Sequence, residues 1–126
     1  MVGIVIISHS RMLAEGVADA TRIMADGCPV ATAGGDDLGG YGTSYDKISR
    51  AIKSVHSADG VLILADMGSA AMTAEMVIEN ENYTDVILAD CPIAEGAIAA
   101  SLSALCGDDL ETVKNQALSA KTDAKW

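Results

Sequence analysis

The sequence has very few aromatic side chains, with no Phe, one Trp and three Tyr among its 126 residues. Basic residues are also scarce, since eight Lys and Arg stand against eighteen Asp and Glu, for a net charge of −10. Proteins that bind nucleic acids need basic surfaces for phosphates and, for single strands, aromatic side chains on which bases stack. The composition therefore argues against nucleic-acid binding. The negative field also favours phosphate chemistry that relies on backbone amides or on a protein donor.

Cysteine occurs only three times, at positions 28, 91 and 106, without a C-x-x-C pair. This odd number fits neither a disulfide framework nor a zinc site, so we expect no metal and a reducing, cytoplasmic location. No apolar run approaches the ~20 residues of a membrane span. The apolar start, residues 1–7, lacks the basic flank and cleavage site of a signal peptide, so we expect neither an export signal nor a membrane anchor.

Four short runs rich in Val and Ile, each followed by a helical pattern, indicate a repeated β-α unit; they cover residues 2–7, 29–33, 60–65 and 85–89. Continuously apolar strands separated by helices are typical of a parallel sheet covered on both faces. The pattern predicts an α/β fold, an open three-layer sandwich with a central, mainly parallel sheet of four strands. We expect one domain, residues 1–120, with a short C-terminal tail, residues 121–126.

The helices are predicted from apolar residues that recur at helical spacing. The expected buried faces are Leu13, Val17, Ala20 and Met24 in the first helix, Ile48, Ala51, Ile52 and Val55 in the second, and Ile98, Leu102 and Leu105 in the fourth. The third helix is predicted over 70–79 and the fourth over 95–105. Asp108 and Glu111 have the spacing of a capping box for a fifth helix.

Polar residues follow the ends of the predicted strands, where ligand sites lie in open α/β sheets. His9 follows the first strand, and an imidazole with an ordinary pKa of about 6.5 can act as a nucleophile at neutral pH. Asp66, at the end of the third strand, could orient that ring by accepting a hydrogen bond from one nitrogen. Gly68 and Ser69 offer backbone amides at a helix N-terminus, and Ser69 or Thr43 could add a hydroxyl donor.

Taken singly, these features have ordinary structural interpretations. A lone histidine after a first strand is more often structural than catalytic, and Asp66 could equally cap the third helix. Loop glycines usually serve turns. Met67, Met72 and Met76 are most simply core residues, although exposed methionines would suit a partner-binding face. Residue chemistry alone therefore leaves the function open.

At these strand ends the sequence resembles the DhaM subunits of phosphotransferase-linked dihydroxyacetone kinases, which are relatives of the mannose-type EIIA domains of the bacterial phosphoenolpyruvate-dependent phosphotransferase system. The resemblance extends over nearly the whole chain. It is carried by the segments GIVIISHS (3–10), LAEG (13–16), GT (42–43), DMGSA (66–70) and PIAEGA (92–97). Counting 3–10 with the following 13–16 as one piece, four pieces stand in order at the four strand ends, which argues against a chance similarity.

The resemblance implies that phospho-HPr phosphorylates His9 and that the group then passes to ADP on the DhaL subunit, regenerating the ATP that phosphorylates dihydroxyacetone on DhaK. By the same resemblance, Asp66 orients the ring, and Gly68, Ser69, Gly42 and Thr43 line a phosphoryl pocket. It also implies a homodimer. No cofactor is expected on this chain apart from the covalent phosphoryl group, since ADP and magnesium belong to the partner subunit.

Two rival phosphoprotein classes fit the residues poorly. A receiver domain needs acidic residues after the first strand, where this chain has Ser8 and His9. A phosphatase built on Cys91 needs an arginine six residues later, where this chain has Ala97. The sequence leaves open a non-enzymatic module that binds an anion or a partner, and it does not indicate which ring nitrogen of His9 carries the phosphoryl group.

Overall fold

A computed structural model describes residues 1–126 and contains three layers, with a four-stranded parallel sheet between two layers of helices. This confirms the predicted α/β sandwich. The strands are Gly3–Ser8 (β1), Val30–Gly34 (β2), Val61–Ala65 (β3) and Val86–Ala89 (β4). The helices are Arg11–Met24 (α1), Tyr45–Val55 (α2), Gly68–Asn80 (α3), Ile93–Leu105 (α4) and Leu110–Ser119 (α5). None of these helices has both the length and the apolar character that crossing a membrane requires.

Both faces of the sheet are covered, and β1 lies at its centre. Ile4 and Ile6 pack into a core shared with α1, α4 and α5. Val5 and Ile7 point to the opposite face, where they pack against α2 and α3. A strand that is buried on both faces has no position for a solvated side chain, which explains the uninterrupted apolar runs.

The strand order is β2-β1-β3-β4, and every neighbouring pair is parallel. The chain goes from β1 to one side to form β2 and then crosses to the other side for β3, so the order reverses between β1 and β3. Ser8 pairs with Gly34 and Ile7 with Ala65, which brings the carboxyl ends of the three strands level. A crevice opens where the order reverses, and the residues after β1 and β3 line it.

Two of the predicted helix faces differ from the structure, although Val17 of α1 is buried as predicted. In α1, Leu13 and Met24 are exposed, whereas the buried positions are Ala14, Val17, Ala18 and Thr21. In α4, Leu102 and Leu105 are partly exposed, and the buried face consists mainly of small residues: Gly96, Ala97, Ala100, Ser101, Ser103 and Ala104. Small side chains let a helix approach the sheet closely, so close packing, rather than side-chain hydrophobicity, determines which face is buried.

Some predicted helix ends also differ from the structure. Helices α3 and α4 each begin two residues earlier than predicted, at Gly68 and Ile93. The capping box of Asp108 and Glu111 is wrong, because Asp109 caps α5 by accepting from the Thr112 N–H at 2.9 Å. The Asp108 carboxylate instead accepts from the Ser103 hydroxyl at 2.7 Å. The division into 1–120 and a tail of 121–126 stays a prediction; α5 ends at Ser119.

Candidate functional site

His9 occupies a short link between β1 and α1 that is held at both ends. It directly follows the fully buried β1, and the next residue, Ser10, caps α1 by accepting from the Leu13 N–H at 3.3 Å. The main chain of His9 is also held, since its N–H donates to Asp66 Oδ2 at 3.1 Å and its carbonyl accepts from the Gly42 N–H at 3.1 Å. The ring is therefore presented from a rigid base, with a quarter of its side chain exposed.

Asp66 lies across the crevice at the end of β3, and only 10% of its side chain is exposed. Its Oδ1 lies 3.2 Å from Nδ1 of His9, and its Oδ2 also accepts from the Ser8 hydroxyl at 2.9 Å. Burial alone would raise the pKa of Asp66, but the hydrogen bonds from the His9 main chain, the Ser8 hydroxyl and the His9 ring outweigh it, and the pKa is lowered. Asp66 is therefore a carboxylate at neutral pH.

This carboxylate determines the tautomer of the His9 ring. An ionised carboxylate only accepts hydrogen bonds, so the proton of a neutral ring resides on Nδ1, and Nε2 keeps its lone pair. The Ser69 hydroxyl lies 2.8 Å from Nε2 and can donate to that lone pair. The sequence left the two nitrogens equivalent, whereas the geometry leaves the lone pair on Nε2.

The N-terminus of α3 faces the same nitrogen. Met67 is the N-cap residue, and no side chain caps the helix, which leaves the first-turn amides, including those of Gly68 and Ser69, without a side-chain acceptor. Uncapped amides at the positive end of a helix dipole form a binding site for anions. Asp66 does not cap α3, so the structural interpretation of that residue is wrong.

Gly42 and Thr43 contact the site differently from Gly68 and Ser69. The Gly42 N–H donates to the His9 carbonyl, and its φ of +142° is one that glycine adopts most readily. The Thr43 hydroxyl lies 3.4 Å from the Thr73 hydroxyl, which donates to the Ser69 carbonyl at 3.1 Å. Both residues thus hold the main chain around the site, and a direct part in phosphoryl binding stays a prediction.

Sequence reasoning missed two polar residues of the site. Ser8 is fully buried, donates to Asp66 and accepts from the Ser10 N–H at 3.0 Å, so it ties the carboxylate to the link that carries His9. Its signal was a serine at the end of an otherwise apolar strand. Thr73 connects Thr43 to the first turn of α3. No sequence pattern could have predicted the role of Thr73, because that role depends on how α3 packs against the loop that contains Thr43.

The second histidine and the methionines lie apart from this network. His56, the C-cap residue of α2, lies 2.9 Å through Nε2 from both carboxylate oxygens of Asp85, the residue just before β4. Met67, Met72 and Met76 are more than half exposed, so their interpretation as core residues is wrong. Met67 directly follows Asp66, so its exposed side chain lies beside the candidate site, where it would suit a partner-binding surface.

Comparison with known proteins identifies the family of this chain. The model of the EIIA-man family, described as the PTS system fructose IIA component, matches residues 3–114. The Escherichia coli (strain K12) "PEP-dependent dihydroxyacetone kinase, phosphoryl donor subunit DhaM" is 42% identical over 127 residues, 95% of this chain but only 27% of the relative. The Lactococcus lactis "PTS-dependent dihydroxyacetone kinase, phosphotransferase subunit DhaM" is 35% identical over 114 residues, 90% of this chain and 91% of the relative.

Solved structures show the same architecture. The "unknown function protein EF1359" superimposes with a TM-score of 0.84 and 28% identity, and the match covers 100% of this chain and 99% of the other. A sigma-54 interaction domain protein from Enterococcus faecalis shares the fold alone, with a TM-score of 0.71, 16% identity and coverage of 92% and 87%. The chain, which spans about a quarter of the Escherichia coli relative, therefore belongs to the EIIA-man family, and its relatives are named as phosphoryl donor subunits.

Proposed function

We propose that this chain is a phosphoryl carrier that accepts a phosphoryl group on Nε2 of His9 from phospho-HPr and passes it to ADP bound on a DhaL subunit. The names of the relatives support the reaction class. The observation that carries the proposal is the setting of the His9 ring, with the Asp66 carboxylate at Nδ1 and the Ser69 hydroxyl at Nε2. We also expect a homodimer, as the family resemblance implies.

In the first step, the Nε2 lone pair of His9 attacks phosphorus, the new nitrogen–phosphorus bond forms, and the bond to the donor breaks in line with it. The donor atom keeps the electron pair of the broken bond. The proton on Nδ1 stays in place and donates to Asp66, which stabilises the positive charge that develops on the ring. In the second step, a β-phosphate oxygen of ADP attacks the same phosphorus, and Nε2 regains its lone pair.

The surroundings of Nε2 suit the oxygens of a phosphoryl group. The Ser69 hydroxyl is close enough to turn from Nε2 to a phosphoryl oxygen once the group is attached. The uncapped amides of Gly68 and Ser69 add donors at the positive end of α3. These neutral donors stabilise the negative charge of the phosphoryl oxygens without cancelling it, which suits a phosphoryl group that must be transferred onward. Nucleotide and magnesium then need to be bound only by the acceptor subunit.

Exposed apolar residues around the site support transfer between proteins. Met12 lies in the first turn of α1, Tyr41 precedes the glycine that holds the His9 carbonyl, and Met67 follows Asp66. All three side chains are more than half exposed. A ring of apolar side chains around a small polar centre is typical of protein interfaces, and it would exclude water during transfer.

The test is phosphorylation by purified phosphoenolpyruvate, enzyme I and HPr, followed by intact-mass analysis. We expect wild type to gain one phosphoryl group that is labile in acid and stable in base, and His9→Ala to gain none. His56→Ala is the matched control, because His56 also contacts an aspartate, and it should be phosphorylated like wild type. Addition of DhaL, ADP and magnesium should then remove the group and produce ATP.

A wild-type chain that gains no mass, while the donor proteins phosphorylate a control acceptor, would instead support a module that binds an anion or a partner without covalent chemistry. Uptake that survives in His9→Ala would place the phosphoryl group elsewhere. If His9 takes up the phosphoryl group but does not transfer it to ADP on DhaL, the first step of the proposal stands and the proposed acceptor is refuted.

A further inference from the structure

Strand β2 is an open edge of the sheet. It pairs only with β1, so no strand lies on its other side. Two hydrogen bonds show which way the main chain of β2 faces: the Ile4 N–H donates to the Pro29 carbonyl at 2.9 Å, and the Gly35 N–H donates to the Ser8 carbonyl at 3.0 Å. The main-chain N–H and C=O groups of the odd-numbered residues of β2 therefore point toward β1. Successive residues of a strand point their main-chain groups to opposite sides, so the N–H and C=O groups of Val30, Thr32 and Gly34 face away from β1.

One of these outward groups is already bound by a lysine. The ammonium of Lys47 in α2 donates to the Gly34 carbonyl at 3.0 Å. Open edges are commonly protected by lysines, short strands or bulges. Lys47 protects only the carboxyl end of this edge, so the N–H and C=O groups of Val30 and Thr32 remain available for pairing.

Two cavities border this edge, one on each face of the sheet. The cavity on the α2 side, of about 360 Å³, is lined by Arg11, Lys47, Arg50 and neighbouring residues. The cavity on the α1 side, of about 560 Å³, is lined mainly by residues of that helix. They meet at Thr32 and Glu15, which line both. Side chains of an added strand alternate between the two faces, so each set would have a cavity to enter.

The cavity on the α2 side is positively charged in a strongly acidic protein. Arg22, Lys53, Lys121 and Lys125 form ion pairs with carboxylates. Of the four other basic residues, Arg11, Lys47 and Arg50 line this cavity, and Lys114 lies in α5. Only one carboxylate, that of Glu15, lies among them. This concentration of unpaired cations attracts an acidic ligand.

We propose that the β2 edge binds an extended acidic segment of a partner protein, which adds to the sheet as a fifth strand. Its main chain pairs with Val30 and Thr32, and every second side chain, a Glu or Asp, enters the cavity lined by Arg11, Lys47 and Arg50. The site is separate from the His9 ring, which lines neither cavity. The proposal therefore stands whether or not His9 is phosphorylated.

Charge makes a second copy of this chain a poor occupant of the same edge. Antiparallel pairing of two β2 strands places the axis of symmetry perpendicular to the sheet, so α2 of one copy would face α2 of the other. The cavity lined by Arg11, Lys47 and Arg50 in one copy would then lie next to the same cavity in the other copy, and the like charges would repel each other. An acidic partner turns the same charges into an attraction.

The test is a nuclear magnetic resonance titration of the isotope-labelled protein with an eight-residue peptide in which Glu alternates with Val and Thr. We expect shifts centred on Val30, Thr32 and Gly34, and slower exchange of the Val30 and Thr32 amide protons. The variant Lys47→Gln/Arg50→Gln should bind about tenfold more weakly. The control Lys114→Gln/Lys125→Gln changes the charge equally, away from the edge, and should bind like wild type.

Two further peptides test strand pairing itself. Methylation of alternate peptide nitrogens blocks one side of an added strand, so one of two complementary methylated peptides should lose binding and the other should keep it. Equal binding of both would reduce the site to a charged surface and overturn the proposal. So would the absence of shifts at about 1 mM peptide, equal weakening in the control variant, or β2 amides that become protected by self-association of the protein alone.

Discussion

The two hydrogen bonds of the His9 ring have different chemical roles. The contact with Asp66 is charge-assisted and fixes the proton on Nδ1, whereas the contact with Ser69 involves a neutral hydroxyl that can turn away. Asp66 is itself held by Ser8 and by the main chain of His9, so neither oxygen is free to rotate. The ring is thus oriented by a carboxylate that has its own supports.

Asp66→Asn should slow phosphorylation of His9 strongly while leaving the protein folded. The oxygen of the new amide must accept from the His9 main-chain N–H, which is always a donor, so the amide NH₂ group faces Nδ1. That arrangement moves the ring proton to Nε2 and blocks the nucleophile. We expect a rate reduction of about 100-fold or more, measured by rapid mixing with phospho-HPr.

Asp90→Asn is the control for that experiment. Asp90 also follows a strand, but its side chain is almost fully exposed, and its one ion pair is with Lys121, at 3.3 Å. Its phosphorylation rate should equal that of wild type. An Asp66→Asn rate close to wild type would show that the ring tautomer does not depend on this carboxylate.

Asp66 should also make stability depend on pH. Because its pKa is lower in the folded protein than the ordinary value of about 3.9 in the unfolded chain, it stabilises the fold above pH 4. This contribution is lost as the pH falls through the folded pKa. Urea unfolding of wild type and Asp66→Asn from pH 6 to pH 3 should show a free-energy difference that shrinks below about pH 4. A difference that stays constant would contradict the assigned pKa shift.

At the scale of elements, the site depends on how closely α1 and α3 approach the strand ends. A Cβ atom at Gly34, the last residue of β2, would lie 2.5 Å from Cα of Arg11, the first residue of α1. Only a glycine allows that approach. The link that carries His9 and Ser10 enters α1 at this point, so the glycine helps to position the main chain of that link.

Gly34→Ala should destabilise the protein by about 1–3 kcal/mol, because main-chain atoms of Arg11 must move to make room. The displacement of α1 should also slow phosphorylation of His9. Urea unfolding and the mass assay measure the two effects.

Gly16→Ala is the matched control. Gly16 is exposed in the interior of α1, and its added Cβ would meet no atom within 4 Å. Its free energy of unfolding should rise by about 0.4–1 kcal/mol, since alanine restricts the unfolded chain and favours the helix. Equal effects of the two substitutions would refute the importance of the close approach.

At the scale of the whole molecule, the charge is strongly unbalanced. The net charge is −10, and the ion pairs of the lysines and arginines lie mostly at exposed positions, where each contributes little. Self-repulsion therefore opposes folding at low ionic strength. Against this net negative charge, three of the eight basic residues, Arg11, Lys47 and Arg50, line a single cavity beside β2.

Salt should stabilise this protein. We expect the midpoint of thermal unfolding to rise by roughly 2–5 °C between 10 and 200 mM NaCl, because screening weakens the repulsion among carboxylates. The variant Asp26→Asn/Glu79→Gln, which removes two exposed and unpaired charges, should show a smaller rise. A midpoint that falls with salt would mean that the ion pairs outweigh the net repulsion.

The parallel sheet, its four apolar strands and the polar residues at their carboxyl ends all follow from patterns in the sequence. Strands buried on both faces leave a continuous apolar pattern, and a parallel sheet brings its carboxyl ends to one edge. The sequence therefore predicts that His9 and Asp66 lie close together, and they do lie in hydrogen-bond contact.

The folded structure was needed to establish three things: which nitrogen of His9 keeps its lone pair, that Ser8 and Thr73 belong to the site, and which faces of α1 and α4 are buried. The hydrogen bonds of Asp66 with Ser8 and His9 join residues 58 and 57 positions apart, and their geometry follows from the strand order and register. The buried helix faces follow from close packing of alanine and glycine against the sheet, which hydrophobic periodicity does not register. Long-range geometry and packing at short distance are properties of the folded chain, not of any local pattern.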